Sequence, residues 1–272
     1  MKKLSFAFIL VAFVAGVAAI PAAQDSTANR AEILKMWEAS GHSKALGLII
    51  NNERASADCY ACHSAEGFAA KRQDKKVDLA NKASFTTVSC TACHDFANSS
   101  NPSKLVMDSE ELCNSCHTQQ AVLKGKGAAG IGETRSFHSA VPCASCHMTD
   151  HNHLMKVIRP DDPDLSDKRM DTCTKCHRDN NRKARATQIQ QWQASYKESM
   201  DALDPDLKSI SEALKKNSDA LSPEMKKKYN DARNNISILA RDHSRGAHNV
   251  DYTAEIFDLA IKDIRAVKAA LK

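Results

Sequence analysis

The order of apolar and polar positions divides the chain into three stretches. From Leu4 to Ile20 the side chains are almost all apolar, behind Lys2 and Lys3 and ahead of the small residues Ala18, Ala19, Ala22 and Ala23. That order predicts a secretory signal peptide over residues 1–23. The run is short for a bilayer span of about 20 residues, which leaves a retained N-terminal anchor as the alternative. At the other end, from about Asn181, apolar residues recur with helical period. Ser222 before Pro223 supplies an N-cap and a first helical residue. Met225, Tyr229, Ala232, Ile236 and Leu239 then share one face, and Ile256, Ala260, Ile264, Val267 and Leu271 share another. Residues 181–272 are therefore expected to form a helical hairpin or small bundle. Between these ends, "ANRAEILKMWEASGHSKAL" sets Ile33 and Trp37 four apart, the mark of a short amphipathic helix with His42 just beyond it. Residues 55–180 sustain no period.

Composition sharpens the contrast. Aromatic residues make up 5% of the 272 residues and the mean hydropathy is −0.46, poor material for a conventional core of this size. The aperiodic middle instead holds all ten cysteines, in five C-x-x-C-H units: Cys59-Cys62-His63, Cys90-Cys93-His94, Cys113-Cys116-His117, Cys143-Cys146-His147 and Cys173-Cys176-His177. The units start 31, 23, 30 and 30 residues apart, room for a turn or two of helix and a loop each. Ten cysteines in an exported chain would ordinarily indicate disulfides, but disulfide frameworks do not place a histidine after every second cysteine. Paired C-x-x-C half-sites for zinc fail on the odd number of units.

The spacing fits covalent haem c. Two thiols one helical turn apart reach the two vinyl groups of one porphyrin, and the adjacent histidine turns its imidazole to the iron. Five macrocycles would also supply the missing apolar surface, so the expected fold class is mostly α and haem-packed, with few or no strands. Residues 24–180 form the pentahaem-binding region, and residues 181–272 a helical region that contributes a distal ligand. The formal charge of +5 falls to +3 when Lys2 and Lys3 leave with the signal peptide. Haem propionates lower it further, so the sequence pI of 8.6 is no sign of nucleic-acid binding.

Six histidines remain outside the motifs: His42, His138, His151, His153, His243 and His248. They nearly match the five sixth ligands that an all bis-histidine set requires. Met36, Met107, Met148, Met155 and Met170 are further ligand candidates.

The order of "MWEASGHSKA", "FHSAVPCASCHM", "DH" at 150–151 and "SRGAHN", threaded through the five motifs, resembles the pentahaem ammonia-forming cytochrome c nitrite reductases and their multihaem relatives of the hydroxylamine oxidoreductase type. The resemblance implies His42 as distal ligand of the third haem, His138 of the fifth, His151 of the second and His248 of the fourth. His153 serves none of these four haems. The first haem, on His63, is then left with His243, His153, a methionine or nothing, with His243 the leading occupant. One departure stands out. The family's catalytic haem is held by C-x-x-C-K, whereas the first motif here reads "CYACH", and Arg54 is the one candidate for the family's arginine.

The leading functional expectation is a periplasmic or extracellular electron carrier, because a six-coordinate iron has no room for substrate. The alternatives are a compact nitrite or hydroxylamine reductase using the first haem, and a structural subunit that stacks its haems in a complex or filament. Expected partners are redox proteins, a membrane quinol-oxidising cytochrome or a terminal reductase, and not nucleic acid. Peripheral membrane association and a homo-oligomer are open.

Overall fold

The structure, a computed structural model, describes residues 26–271 except 102, 119, 164, 166–169 and 179–180, with side chains from Arg30 onward. The expected signal peptide lies outside the described residues. Ten α-helices appear among them: α1 (Ser26–Ala39), α2 (Ala57–His63), α3 (Ala65–Arg72), α4 (Cys90–Cys93), α5 (Ser109–Asn114), α6 (Ala121–Lys124), α7 (Cys143–His147), α8 (Arg182–Lys216), α9 (Pro223–Asp242) and α10 (Val250–Ala269). The described residues contain no strand, only an isolated bridge between His94 and Leu105. The fold is mostly α, and the contrast between short helices before residue 180 and long ones after it follows the hydropathy pattern.

The three long helices form the bundle. Ser222 caps α9, its Oγ accepting from the Met225 N–H at 3.3 Å, and Asn249 caps α10 in the same way through Tyr252 N–H at 3.1 Å. Tyr229, Ala232, Ile236 and Leu239 of α9 are buried against Ile256, Ala260, Ile264 and Val267 of α10. α8 packs on α10 and runs through Pro205. A proline inside a helix costs about 3 kcal/mol, and the burial of Leu203 and Ile210 on either side of it offsets that cost.

The N-terminal region has a far smaller apolar cluster, Ala65, Phe68 and Ala92, whose partly buried neighbours include Cys93 and Cys116. Trp37 ties α1 to this region by donating from Nε1 to the Val88 carbonyl at 3.0 Å. The loop after α6 docks on the bundle: Ala128 N–H donates to Tyr252 Oη at 2.8 Å, and Ala129 exchanges two bonds with the Asn235 side chain. Gly125 begins this loop at φ +62°, where a Cβ would stand 1.6 Å from the Thr134 carbonyl oxygen, so no other residue fits. Among the described residues, no helix is long and apolar enough to cross a membrane.

Candidate haem sites

Each C-x-x-C-H unit folds as about one helical turn. The histidine N–H closes that turn on the carbonyl of the first cysteine, at 2.8 Å for His94 on Cys90, 2.9 Å for His117 on Cys113 and 2.8 Å for His177 on Cys173. One turn brings two thiols and an imidazole to the same side of the backbone, the arrangement a single macrocycle requires. Acids set two of these turns. Asp108 accepts from the Glu110 and Glu111 N–H groups ahead of Cys113. Asp171, fully buried, accepts from the Thr174 N–H at 2.9 Å and the Thr174 hydroxyl at 2.7 Å around Cys173. No disulfide joins any two of the ten cysteines.

Thiols of different motifs lie together. Burial, and next the neighbouring Cys143, push the Cys113 thiol up to about 11. Burial and Cys62 push Cys116 up to about 12. Cys93 adjoins both Cys113 and Cys116, and Cys146 adjoins Cys173 and Cys176. The third motif therefore touches the first and fourth and lies near the second, and the fourth lies near the fifth.

Four motif histidines face a second histidine ring. His117 pairs with His42 at a centroid separation of 5.9 Å, His94 with His153 at 6.2 Å, His177 with His138 at 6.1 Å and His147 with His248 at 6.2 Å. Two imidazoles on opposite sides of one metal, with metal–nitrogen bonds of about 2 Å and ring centres roughly 1 Å behind the nitrogens, sit about 6 Å apart. The pairs match that span. The outer nitrogens are occupied: the Nδ1–H groups of His63, His94 and His147 donate to the Ala45, Ser103 and Met155 carbonyls at 2.9, 2.9 and 3.2 Å. His153 Nδ1–H donates to the His151 carbonyl at 2.8 Å. Such bonds fix the tautomer and leave Nε2 free for a metal. Burial, and next His117, lower the pKa of His42, favouring the neutral form a ligand needs. Exposed apolar rings stand beside two of the pairs, Phe96 stacked on His94 at 5.3 Å and Phe137, 97% exposed, next to His138. The donor set and its surroundings fit haem.

Among the described residues, the rings of two expected ligands face no motif histidine. The ring that faces His94 is His153, and His151 offers only its backbone carbonyl while its side chain is exposed. Asp150 and His151 both adopt left-handed backbone, at φ 55° and 57°, and this reversal turns the side chain two residues later toward the second motif. His243 is likewise exposed, and its ring faces no motif histidine among the described residues. It is the left-handed C-cap of α9 at φ 57°, a position that shapes the loop carrying His248 to His147. Arg54 is exposed and lines an open cavity of about 530 Å³ with Gly47, Leu48, Asn51, Asn52 and Glu53. Met155 lies behind two histidines, its sulfur against His42 Nδ1 and its carbonyl on His147.

Comparisons with known proteins agree with the motif content and the fold. Residues 83–122 match the family described as doubled CXXCH motif, and residues 24–95 match the family described as cytochrome c554 and c-prime. The outer cell wall cytochrome OcwA superposes with a TM-score of 0.70 at 26% identity, over 85% of this chain and 50% of that one. The chain is a multihaem c-type cytochrome. An undecahaem cytochrome from the S-layer of Carboxydothermus ferrireducens shares the fold, with a TM-score of 0.60 at 22% identity over 83% of this cytochrome and 40% of that chain. The cytochrome thus spans half or less of the length of these two structures. No curated protein matches it. Sequence reasoning missed the residues behind the rings, the carbonyls of Ala45 and Ser103 and the carboxylate of Asp242. The acid in "RDHSRGAH" was the one available signal.

Proposed function

We propose that this cytochrome carries five covalent haems and transfers single electrons between protein partners outside the cytoplasm. The observation that carries the reading is the set of four histidine pairs at 5.9 to 6.2 Å, each joining a C-x-x-C-H histidine to one from another segment. In this reading the ten cysteines hold the macrocycles, and His63, His94, His117, His147 and His177 are the proximal ligands. His153, His42, His248 and His138 are the distal ligands of haems two to five. When bound, haem supplies a reversible one-electron change between ferric and ferrous iron, with a potential set by its axial ligands and their hydrogen bonds. The thiol contacts make the third motif a junction between the first, second and fourth, with the fifth beyond the fourth. His138 and His177 are both exposed, which leaves the fifth site open to a docking partner such as a quinol-oxidising membrane cytochrome or a terminal reductase. The likeness to an outer cell wall and an S-layer cytochrome supports an extracellular setting, consistent with an export signal over residues 1–23.

One observation favours a second reading, a small reductase of nitrite or hydroxylamine related to the ammonia-forming nitrite reductases. Among the described residues, His63 is the motif histidine whose ring faces no second histidine. The two readings separate in one experiment on the exported holoprotein. Mass spectrometry is expected to give a processed chain carrying five haems, and fewer than five in fully matured protein rules out the pentahaem reading. Cyanide or nitrite added to the oxidised protein is expected to perturb at most the first haem. Turnover of nitrite or hydroxylamine would replace the carrier with the enzyme.

A further inference from the structure

The loop between α9 and α10 holds His248 differently from the other paired histidines. His153, His94 and His147 point Nδ1 at backbone carbonyls. His248 points Nδ1 at a carboxylate, Asp242 Oδ1, at 2.8 Å. Asp242 is the last residue of α9, and its side chain is 4% exposed, against 36% for His248. Its second oxygen is also engaged, accepting from the Ser244 hydroxyl and, at 3.3 Å, from the Ser244 N–H. The Ser244 hydroxyl in turn accepts from the His248 N–H at 3.1 Å. Asp242, Ser244 and His248 therefore close a ring of hydrogen bonds in which the acid cannot turn away from the imidazole. The loop is braced from α8, where Gln193 donates to the Ser244 carbonyl at 3.4 Å. The buried charge is felt nearby: burial first, and then the Asp242 carboxylate, raise the pKa of Tyr196.

A carboxylate is a stronger acceptor than a carbonyl and brings a full negative charge. Drawing the Nδ1 proton toward it makes Nε2 a better donor, and the charge behind the ring favours the more positive metal state. We infer that Asp242 is a positioning and tuning residue for the fourth haem, holding His248 as an electron-rich ligand and keeping that haem's reduction potential below the value a neutral acceptor would give. The inference rests on the proposed His147–His248 pair.

The experiment uses the complete holoprotein and resolves its potentials by spectroelectrochemistry together with EPR. His248→Ala is measured first, and its conversion of one haem from low-spin to high-spin marks the fourth component. If no haem changes spin state, the proposed pairing fails and the inference falls with it. Asp242→Asn is then expected to leave all paired haems low-spin while raising the potential of the marked component alone. The shift expected is about tenfold in its ferric–ferrous equilibrium, or about 59 mV for one electron. Asp242→Glu, which restores the charge, is expected to return the potential most of the way. Unchanged potentials in Asp242→Asn, or a high-spin signal like that of His248→Ala, would overturn the tuning role while leaving the ligand pair standing. Failure of Asp242→Glu to recover the potential would overturn it too.

Discussion

The second haem gives the sharpest test of the site geometry, because two neighbouring histidines compete for it and the backbone decides between them. His153 lies with its ring 6.2 Å from His94, at an interplanar angle of 26°, and its Nδ1 is held by the His151 carbonyl at 2.8 Å. Replacing His153 by Ala removes the only imidazole opposite His94 among the described residues. The thioethers on Cys90 and Cys93 do not depend on it, so the haem stays attached but loses its sixth ligand. On the proposed count of five haems, about one fifth of the iron should change from low-spin to high-spin, read as a new axial ferric EPR signal and the loss of one low-spin component. His151→Ala keeps the backbone carbonyl that orients His153 and removes only an exposed ring, so its spectrum should match wild type. Its stability should stay within about 0.5 kcal/mol, as for other surface changes. A high-spin signal in His151→Ala together with a normal spectrum in His153→Ala would refute the reasoning.

Two further outcomes concern the scaffold. Burial acts to raise the pKa of Asp171, but hydrogen bonds from Thr174 and the charges of Arg182 and Arg185 outweigh it and hold the carboxyl below its ordinary 3.8. Its contribution is thus complete above pH 3.8 and lost as pH falls through the lower native value. Asp171→Asn should cost about 1–2 kcal/mol at neutral pH and flatten the acid limb of the denaturant midpoint against pH; an unchanged acid slope would count against the assignment. Ile256 is 0% exposed in the bundle core, so Ile256→Ala should lower the unfolding free energy by about 2–5 kcal/mol without altering the haem spectrum, and a loss under about 1 kcal/mol would show that this core is not what stabilises the bundle.

The parts that followed from the sequence were those with a period or a fixed spacing. The Ser222–Pro223 start and the stripes from Tyr229 to Leu239 and from Ile256 to Val267 were visible because burial in a bundle imposes the helical repeat. The proximal half of each haem site was visible because one turn of helix fixes two thiols and an imidazole together. The distal half was harder, since it depends on loops. Nothing in "MTDHNH" states that Asp150 and His151 adopt left-handed backbone, yet that choice leaves the ring of His153, not that of His151, facing His94. Similarly, "RDHSRGAHN" displays two histidines on equal terms. Only the end of α9 at Asp242 makes His243 a cap and sends His248 inward.

The same division explains how the chain is held together. The bundle has an extensive apolar core of its own, whereas the region before residue 180 has a minor cluster edged by the cysteines. Ordering a backbone costs about 1–2 kcal/mol per residue, and so small a cluster does not meet that cost over some 120 residues of loops and single turns. Buried macrocycles must supply the balance, which couples the folding of this region to haem attachment. The bundle has the opposite task. Asn235 and Tyr252 clamp the loop after α6, Gln193 braces Ser244 while also accepting from Arg159 at 3.1 Å, and the α9–α10 loop presents His248 to His147. A stable helical frame thus reaches the haem region at the fourth motif, the one that joins the third to the fifth. The proposed distal ligand of the fourth haem is therefore carried by the part of the chain least dependent on haem for its shape.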